Sequence, residues 1–338
     1  MNKTNKTLVS GLILIIWLGF NTKTTAQKTK IRGFADVSAY YQDDQLNFGF
    51  GEFDLFITSE LSDHISFLAE TVFKYSPSSS THFSVGVERI IINYNYKGNH
   101  SLLMGKQHTP INYWNDTYHH GRVFFPTVGR PLLFAAHFIP IHSTGLTLQG
   151  LNLGNLKFGY NLMIANGLGS GEIKDNDKHK SITAAVHIKP WDNFQFGASF
   201  YSDVISEGAE LYGNIINEKI DQQLFTGSIS YFGNRYEFLA EGTLVNNKTN
   251  SSGTVQSFGS YLYGGVIIKE KWVPYFRIDY LAYQNGDPYL GNDDTNSILA
   301  GIRFEINYLM VVKLEYQHLD RDISGIENRI TAQFAIGF

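Results

Sequence analysis

The sequence predicts an all-β protein, a transmembrane antiparallel β-barrel of about 16 strands. From about residue 30 onward, polar and apolar residues alternate with a period of two, which is typical of strands whose two faces meet different surroundings. Most of these segments run about ten residues, the length that a tilted strand needs to cross a bilayer. The connections between the segments are alternately tight and long, as in barrels with one rim of turns and one rim of loops.

The N-terminal segment reads as a secretory signal peptide. Two lysines precede an apolar run, 8–20, and the small residue Ala26 stands where signal peptidase cuts. The run is too short for a transmembrane helix, which needs about 20 residues. We therefore expect residues 1–26 to be removed, and residues 27–338 to form one barrel domain in the outer membrane of a Gram-negative bacterium.

The composition excludes some classes of protein. The formal net charge is −4, which argues against the broad basic surface of a nucleic-acid-binding protein. The chain has no cysteine, so neither disulfides nor cysteine-held metal stabilise it. Its 20 Tyr and 25 Phe suit strands, while its 8 Pro are few.

The ends of the strands support a membrane location. In hydrocarbon every backbone donor and acceptor must pair, so a spanning sheet has to close on itself. Aromatic residues such as Trp191, Trp272 and Tyr308 stand where segments end and would form interfacial belts. Eight connections are predicted to be long and polar, among them "QDDQLN", "NNKTNSSGTVQ" and "RDISG". A soluble β-sandwich also alternates, but strand length, the two classes of connection and the belts disfavour it.

The polar face of the strands is predicted to line an aqueous channel. In "SILAGIRFEI", for example, Arg303 and Glu305 alternate with Ile302 and Phe304. A barrel of about 16 strands is too wide to be filled by its own side chains, so we expect the charged residues of this face to be wetted. The predicted pore-lining residues are Arg32, Glu52, Asp54, Arg277, Asp279, Arg303, Glu305, Lys313, Glu315 and Arg329. The segment "VERIIINYNY" alternates poorly, and its faces are not assigned.

The connection at residues 107–144 is the longest in the chain and would be the third extracellular loop. Connections of this length are usually functional or disordered, and this one is rich in apolar residues, as in "VFF" and "LLFAAHFI". Such a surface would be adhesive if it faced the medium. Four of the eight prolines lie here and stiffen the path. We therefore expect the loop to fold into the lumen and narrow the pore.

The charges around this loop predict a constriction that attracts anions. Residues 106–145 include three basic residues, a single acidic residue, Asp116, and five of the eleven histidines. Rings of charge set selectivity in narrow pores, and histidines would strengthen the preference as pH falls. The predicted constriction residues are Lys106, Arg122, Arg130, His108, His119, His120, His137 and His142.

Three stretches carry a family resemblance: "GKQHTPINYWNDTYHHG", "GRPLLFAAHFIPIHSTGLTLQG" and the closing "ITAQFAIGF". With them the chain resembles a Bacteroidetes member of the phosphate-selective porin O and P family. The resemblance implies a homotrimeric outer-membrane porin for small hydrophilic solutes, phosphate among them, with Phe338 similar to the signal read by the barrel assembly machinery. Family members that select phosphate use dense arginine and lysine arrays, whereas the lumen predicted here mixes acids and bases almost evenly.

Other functions are open on the same residues. The loop histidines could bind or transport a metal, but adjacent His119 and His120 would point apart on a strand, and no carboxylate pair completes a ligand set. Tyr113, Trp114 and Tyr118 could offer stacking faces to sugars in a substrate-specific channel. No Gly-x-Ser-x-Gly motif of a serine hydrolase is present, so we expect neither an enzyme nor a bound cofactor.

Overall fold

A computed structural model describes residues 28–76, 80–118, 121–169, 175 and 178–338. Within them, sixteen antiparallel strands form one closed barrel. The first strand closes on the last, from Phe34 opposite Gly337 to Tyr41 opposite Ile330. The prediction of an all-β barrel of about 16 strands is confirmed, while the predicted signal peptide lies outside the described residues.

The barrel strands have 8 to 16 residues, and most are longer than ten. In chain order they are β1 (Lys28–Gln42), β2 (Gln45–Glu60), β3 (Ile65–Tyr75), β4 (Phe83–Lys97), β5 (His100–His108), β6 (His142–Leu153), β7 (Phe158–Ala165), β8 (Ser181–Ile188), β9 (Phe194–Ile205), β12 (Ile220–Phe232), β13 (Tyr236–Thr249), β14 (Gly253–Val266), β15 (Trp272–Ala282), β16 (Thr295–Asn307), β17 (Met310–Arg321) and β18 (Gly325–Gly337). The short strands β10 (Glu210–Leu211) and β11 (Asn214–Ile215) form a separate hairpin between β9 and β12.

The two faces of the barrel wall differ as the period of two predicts. In β15, Phe276 and Ile278 face outward and are exposed, while Arg277 and Asp279 face inward and are buried. An outward face of large apolar residues suits lipid, and a closed ladder leaves no backbone edge exposed to it. The barrel therefore presents an apolar surface outside and a polar surface inside.

The predicted strict alternation of tight and long connections is wrong at three places. The turn between β1 and β2 is only Asp43 and Asp44, and the turns 250–252 and 322–324 have three residues each. Both aspartates adopt left-handed φ, which Asp tolerates and which two-residue hairpin turns require. Polar residues that the sequence assigns to loops instead continue the ladder, as in Asn247 opposite Val255.

The C-terminal residue completes the closure. The backbone N–H of Phe338 donates to the carbonyl of Gly33, and the N–H of Gly33 donates to the carbonyl of Phe338, both at 2.9 Å. The ring of Phe338 stacks on Phe53 of β2, with 6.1 Å between centroids. The role of Phe338 as an assembly signal stays a prediction.

The helices of the described residues all lie in the connection between β5 and β6. They are α1 (Tyr113–Thr117), a 3-10 helix (Arg122–Phe124) and α2 (Leu132–Ala135). Among the described residues, no helix is long and apolar enough to cross a membrane.

We predict that Ile278→Arg lowers the free energy of unfolding by about 2–4 kcal/mol, because the charge would face hydrocarbon near the middle of β15. Equilibrium urea unfolding in lipid vesicles measures the change. The matched control is Ile323→Arg, in the exposed turn between β17 and β18. Equal destabilisation by the two variants would contradict a lipid-facing Ile278.

Candidate functional site

The connection between β5 and β6 leaves and rejoins the barrel wall at one point. Asn115 of α1 ties the two ends together, because its Nδ2 donates to the carbonyls of Thr109 at 2.9 Å and Ile141 at 3.0 Å. Asn112 caps α1, with its side chain accepting the N–H of Asn115 at 2.8 Å. The two ends of the connection are therefore held together near Thr109 and Ile141, and the body of the connection, the part between these ends, packs elsewhere on the barrel.

The body of the connection packs on inward-facing residues through apolar side chains. Trp114 is fully buried and makes edge contacts with Phe125 and with Tyr261 of β14, with ring centroids 5.4 and 6.0 Å apart. Burying one such side chain contributes about 1.5–3 kcal/mol. The buried apolar residues of the connection in this cluster are Ile111, Trp114, Phe125, Leu133, Phe134, Phe138 and Ile139. Their partners on the wall are Tyr201, Leu224, Leu239, Val245, Tyr261, Tyr263, Tyr275, Leu281 and Leu299.

Buried carboxylates of the wall accept hydrogen bonds from the backbone of the connection. Glu241 of β13 accepts the N–H groups of Tyr113 and Trp114, the latter at 3.0 Å. Asp279 of β15 accepts the N–H of Leu132 at 2.9 Å. These groups belong to the first turns of α1 and α2, where N–H groups have no partner within the helix.

A third wall carboxylate and two cations hold the middle of the connection. Glu315 of β17 accepts the N–H of Val128 at 3.1 Å. Lys313, also of β17, donates its Nζ to the carbonyls of Arg122 at 2.6 Å and Thr127 at 3.0 Å. Arg303 of β16 donates to the carbonyl of Pro126 at 3.1 Å.

Arg277 of β15 makes the largest set of these contacts. Its guanidinium donates to the hydroxyl of Thr127 at 2.7 Å and to the carbonyls of Gly129 at 2.9 Å and Arg130 at 3.1 Å. Its Nε donates to Asp279 at 2.8 Å. The planar guanidinium thus joins the wall to one tight bend of the connection.

Tyrosines donate hydrogen bonds to three of the carboxylates that hold connections between strands. The hydroxyl of Tyr261 donates to Glu241, and that of Tyr275 donates to Glu315 at 2.9 Å. On β9, the hydroxyl of Tyr201 donates to Asp203 at 2.8 Å, and Asp203 accepts the N–H of Leu168, which follows β7, at 2.7 Å. The same unit, a tyrosine, a carboxylate and a loop N–H, therefore occurs three times.

These contacts correct the expectation that the charged inner face is wetted. Arg277, Asp279, Arg303, Lys313 and Glu315 face inward, but the connection covers them and they are buried. An apolar segment docked on the wall excludes water, and its backbone groups then need partners from the wall. The charged residues of β15–β17 therefore bind protein backbone in place of water.

The other predicted wall residues have different surroundings. Arg32 is exposed, and Glu305 and Arg329 are partly exposed. Asp54 is buried. Glu52 lies in a group of charges on the opposite part of the wall.

That group, the β2–β4 charge cluster, consists of Glu52, Glu70, Lys74, Glu88 and Arg89 with Arg122 and His142. Lys74 Nζ lies 3.2 Å from Glu52 and 3.5 Å from Glu88. Arg122 of the connection lies 3.7 Å from Glu52, and His142 lies 3.2 Å from Glu88. Through the ion pair of Arg122 with Glu52, the cluster links the connection to β2, β3 and β4.

A shift of register in β4 explains the poor alternation of "VERIIINYNY". The pairing slips between Glu70 and Thr71, so that Glu70 is opposite Arg89 and Thr71 is opposite Val87. Glu88 is left over, as in a β-bulge. Arg89 and Glu88 then both reach inward partners.

The predicted constriction cations have different positions. Arg122 lies in the β2–β4 charge cluster, with its guanidinium 5.0 Å from the centroid of the Phe125 ring. Burial and the charge of Arg122 lower the pKa of Arg130, although an arginine stays charged. Lys106 does not face the lumen, contrary to the prediction. It is opposite the outward-facing Ile90 in the ladder, and its Nζ donates to the carbonyl of Val87 at 2.8 Å.

The predicted constriction histidines are also dispersed. His119 and His120 lie outside the described residues. His108 and His142 are opposite each other on β5 and β6, with ring centroids 5.5 Å apart. His137 stacks on Tyr212 of the β10–β11 turn, with ring centroids 3.5 Å apart. Burial lowers the pKa of His137. His137 therefore gains charge only at a lower pH than an ordinary histidine.

The described residues give little support to a metal site or to aromatic rings that stack on sugars. Within the described ranges, no group of three or more His, Asp or Glu side chains could hold a metal ion. Trp114 is fully buried, and Tyr113 and Tyr118 pack on Phe232 at 6.3 and 6.0 Å. These aromatic rings serve the docking of the connection.

No protein-family model and no curated protein matches the chain. Solved structures match it in fold. An anion-selective porin from Comamonas acidovorans has a TM-score of 0.70 at 10% identity, over 92% of this chain and 100% of that chain. The outer membrane channel DcaP of Acinetobacter baumannii has a TM-score of 0.67 at 10% identity, over 94% and 99%.

The outer membrane protein OmpT of Vibrio cholerae, in vitro folded and in its trimer form, has a TM-score of 0.64 at 13% identity, over 93% and 100%. At these identities the likeness concerns the fold alone. The chain has the fold of a porin-type barrel.

Sequence patterns did not identify four site residues, namely Glu237, Glu241, Lys74 and Glu88. All four stand in segments predicted as strands, and for Glu237, Glu241 and Lys74 the charged residue marks the inward face. Glu237 pairs with Arg303 at 2.7 Å. Alternation could have placed Glu237, Glu241 and Lys74 on the inner wall, but not beside their partners, and it fails at Glu88, which lies at the bulge of β4.

We predict that Lys313→Met loosens the connection, because it removes two buried hydrogen bonds with little change in volume. The free energy of unfolding should fall by about 1–3 kcal/mol, and amide hydrogen exchange of residues 122–128 should accelerate. Mass spectrometry of the reconstituted protein measures the exchange. Lys219→Met, at an exposed lysine paired with Asp221, is the matched control. Unchanged exchange at 122–128 would show that Lys313 does not hold the connection.

Proposed function

We propose that this protein is a passive outer-membrane channel for small hydrophilic solutes, with a preference for anions. Its support is a closed barrel with an apolar outside and a polar inside, similar in fold to solved porins and channels. In this proposal the third extracellular loop lies in the lumen against β13–β17 and narrows it. The remaining opening borders the β2–β4 charge cluster.

One observation carries the preference for anions. In the ion pairs of this cluster between arginine or lysine and a carboxylate, the cation is more exposed than its acid. Lys74 is 45% exposed against 14% for Glu52 and 16% for Glu88, and Arg89 is 18% exposed against 0% for Glu70. A permeating ion meets the groups that line the water, so it meets more positive than negative charge here.

Inorganic phosphate is the finer proposal, and it rests on the resemblance to the phosphate-selective porin O and P family. The described part of the lumen has no dense array of basic residues, since each lysine or arginine of the cluster is next to an acid. Competition between phosphate and chloride in the same membrane separates selection of phosphate from a general preference for anions.

We predict that Lys74→Gln moves the reversal potential in a potassium chloride gradient toward cation selectivity, because it removes the most exposed positive charge of the cluster. Single channels in planar bilayers give the potential. The matched control is Lys106→Gln, which removes the same charge from the outward face and should leave the potential unchanged.

Two outcomes of that recording would count against the proposal. Absence of stepwise conductance in the wild type would remove the channel function. A cation-selective wild type, or an equal shift from Lys74→Gln and Lys106→Gln, would remove the assigned basis of the preference for anions.

A homotrimer is part of the proposed function, and one outward surface favours it. An apolar groove of about 450 Å³ crosses β1, β2, β17 and β18. Its rim includes Phe48 and Phe50, which are 81% and 72% exposed, whereas outward Phe258 and Phe276 are 39% and 46% exposed. Rings that project this far can pack on a second copy, as the trimer form of the similar Vibrio cholerae protein suggests.

We predict that Phe48→Ala with Phe50→Ala shifts the protein from trimer to monomer in mild detergent, because it removes the projecting rings. Light scattering of the protein in detergent gives its mass. Phe258→Ala with Phe276→Ala is the matched control on other strands. A trimer that survives the first pair, or dissociates equally with the second, would place the contact elsewhere.

A further inference from the structure

A polar cavity lies between the first part of the connection, 109–117, and the inner face of β4–β7. Its volume is about 120 Å³, which exceeds the share of one water molecule several times. Arg89 of β4, Gln107 of β5, Thr147 of β6 and Asp116 of α1 are among its lining residues. The connection supplies one side and the wall supplies the other, so both contribute to the site.

Two buried polar groups in this wall lack a partner. Gln107 and Thr147 are 4% and 2% exposed, and neither the amide nitrogen of Gln107 nor the hydroxyl of Thr147 has a hydrogen-bond partner among the described residues. Folded proteins leave few such groups unpaired. A polar occupant of the cavity that accepts hydrogen bonds would satisfy both.

Opposite charges line the same cavity. Arg89 uses its Nε for Glu70, and in the described part of the chain its two terminal nitrogens have no hydrogen bond. Such a pair of nitrogens can bind a carboxylate through two parallel hydrogen bonds. Asp116 is an exposed residue at the edge of the cavity with no hydrogen bond or ion pair among the described residues, and Lys189 acts on it electrostatically.

We propose that the cavity binds a small zwitterionic amino acid of the size of glycine or alanine. Its carboxylate accepts from Arg89, Gln107 and Thr147, and its ammonium group donates to Asp116. A simple anion makes no contact with Asp116, and a simple cation makes none with Arg89, Gln107 or Thr147, so the zwitterion makes more contacts than either and is preferred over both. The proposal rests on the proposed channel function, because the solute reaches the cavity through the lumen.

Saturation-transfer NMR on the detergent-solubilised protein tests the site, with glycine, acetate and methylammonium as probes. We expect glycine to bind about tenfold more tightly than either single-charge probe. Asp116→Asn should weaken glycine by a similar factor and leave acetate unchanged. Asp192→Asn, at an exposed aspartate of a turn outside the cavity, is the matched control.

Two further variants probe the carboxylate end. Thr147→Val removes the hydroxyl at constant shape and should weaken glycine and acetate alike. Arg89→Gln is made together with Glu70→Gln, so that no buried carboxylate is left alone, and should abolish binding of both.

Three results would overturn the proposal: acetate binding as tightly as glycine to the wild type, an Asp116→Asn variant with undiminished binding of glycine, or no binding of any probe. These results are independent of conductance. If glycine binds but the protein does not conduct, the proposed site stands and the proposed channel function is wrong. If the protein conducts but no probe binds, the channel function stands and the site is wrong.

Discussion

Hydrogen bonds between buried charged side chains of the wall and the backbone of one connection determine the interior of this barrel. Each partner needs the other. Backbone N–H and carbonyl groups taken out of water must be paired, and a charge buried in a barrel wall is costly unless hydrogen bonds surround it. Carboxylates such as Glu241 take the N–H groups, and cations such as Lys313 take the carbonyls. The apolar side chains of the connection then exclude water from both.

The tyrosine and carboxylate units orient the acceptors of this arrangement. Each phenol hydroxyl holds its carboxylate in one orientation, toward the loop N–H that it accepts. Asp203 does this for a segment after β7, while Glu241 and Glu315 do it for the connection after β5. Repetition on three strands indicates one physical solution for attaching a connection to the inner wall, namely a carboxylate that a tyrosine orients at a buried interface.

The sequence predicts the barrel well and the pairing inside it poorly. A period of two assigns each strand and most faces without knowledge of any contact. The apolar content of the connection correctly indicates burial. The partner of a wall charge cannot be read in this way, because Glu241 and Trp114 are 127 residues apart in the chain. From the sequence alone, a charged residue of the inner face is therefore predicted to contact water, whether water or protein backbone surrounds it.

Lys106 and the β4 bulge show the local limits of sequence patterns. Near the end of a strand, a lysine can face outward and extend its ammonium group to a polar neighbour, here the carbonyl of Val87. Charge alone therefore does not decide its face. One extra residue in β4 disturbs the alternation and brings Glu88 and Arg89 together, so a pattern of fixed period fails at the place where the charge cluster forms.

The wall contacts of the connection also impose an order on assembly. Its partners on β17 lie 186 to 191 residues further along the chain. Those partners do not exist as a surface until β17 has joined the sheet, so the connection can take its native path only late. Contacts of such long sequence separation form slowly. The interior of the barrel therefore takes its final shape only in the last stage of folding.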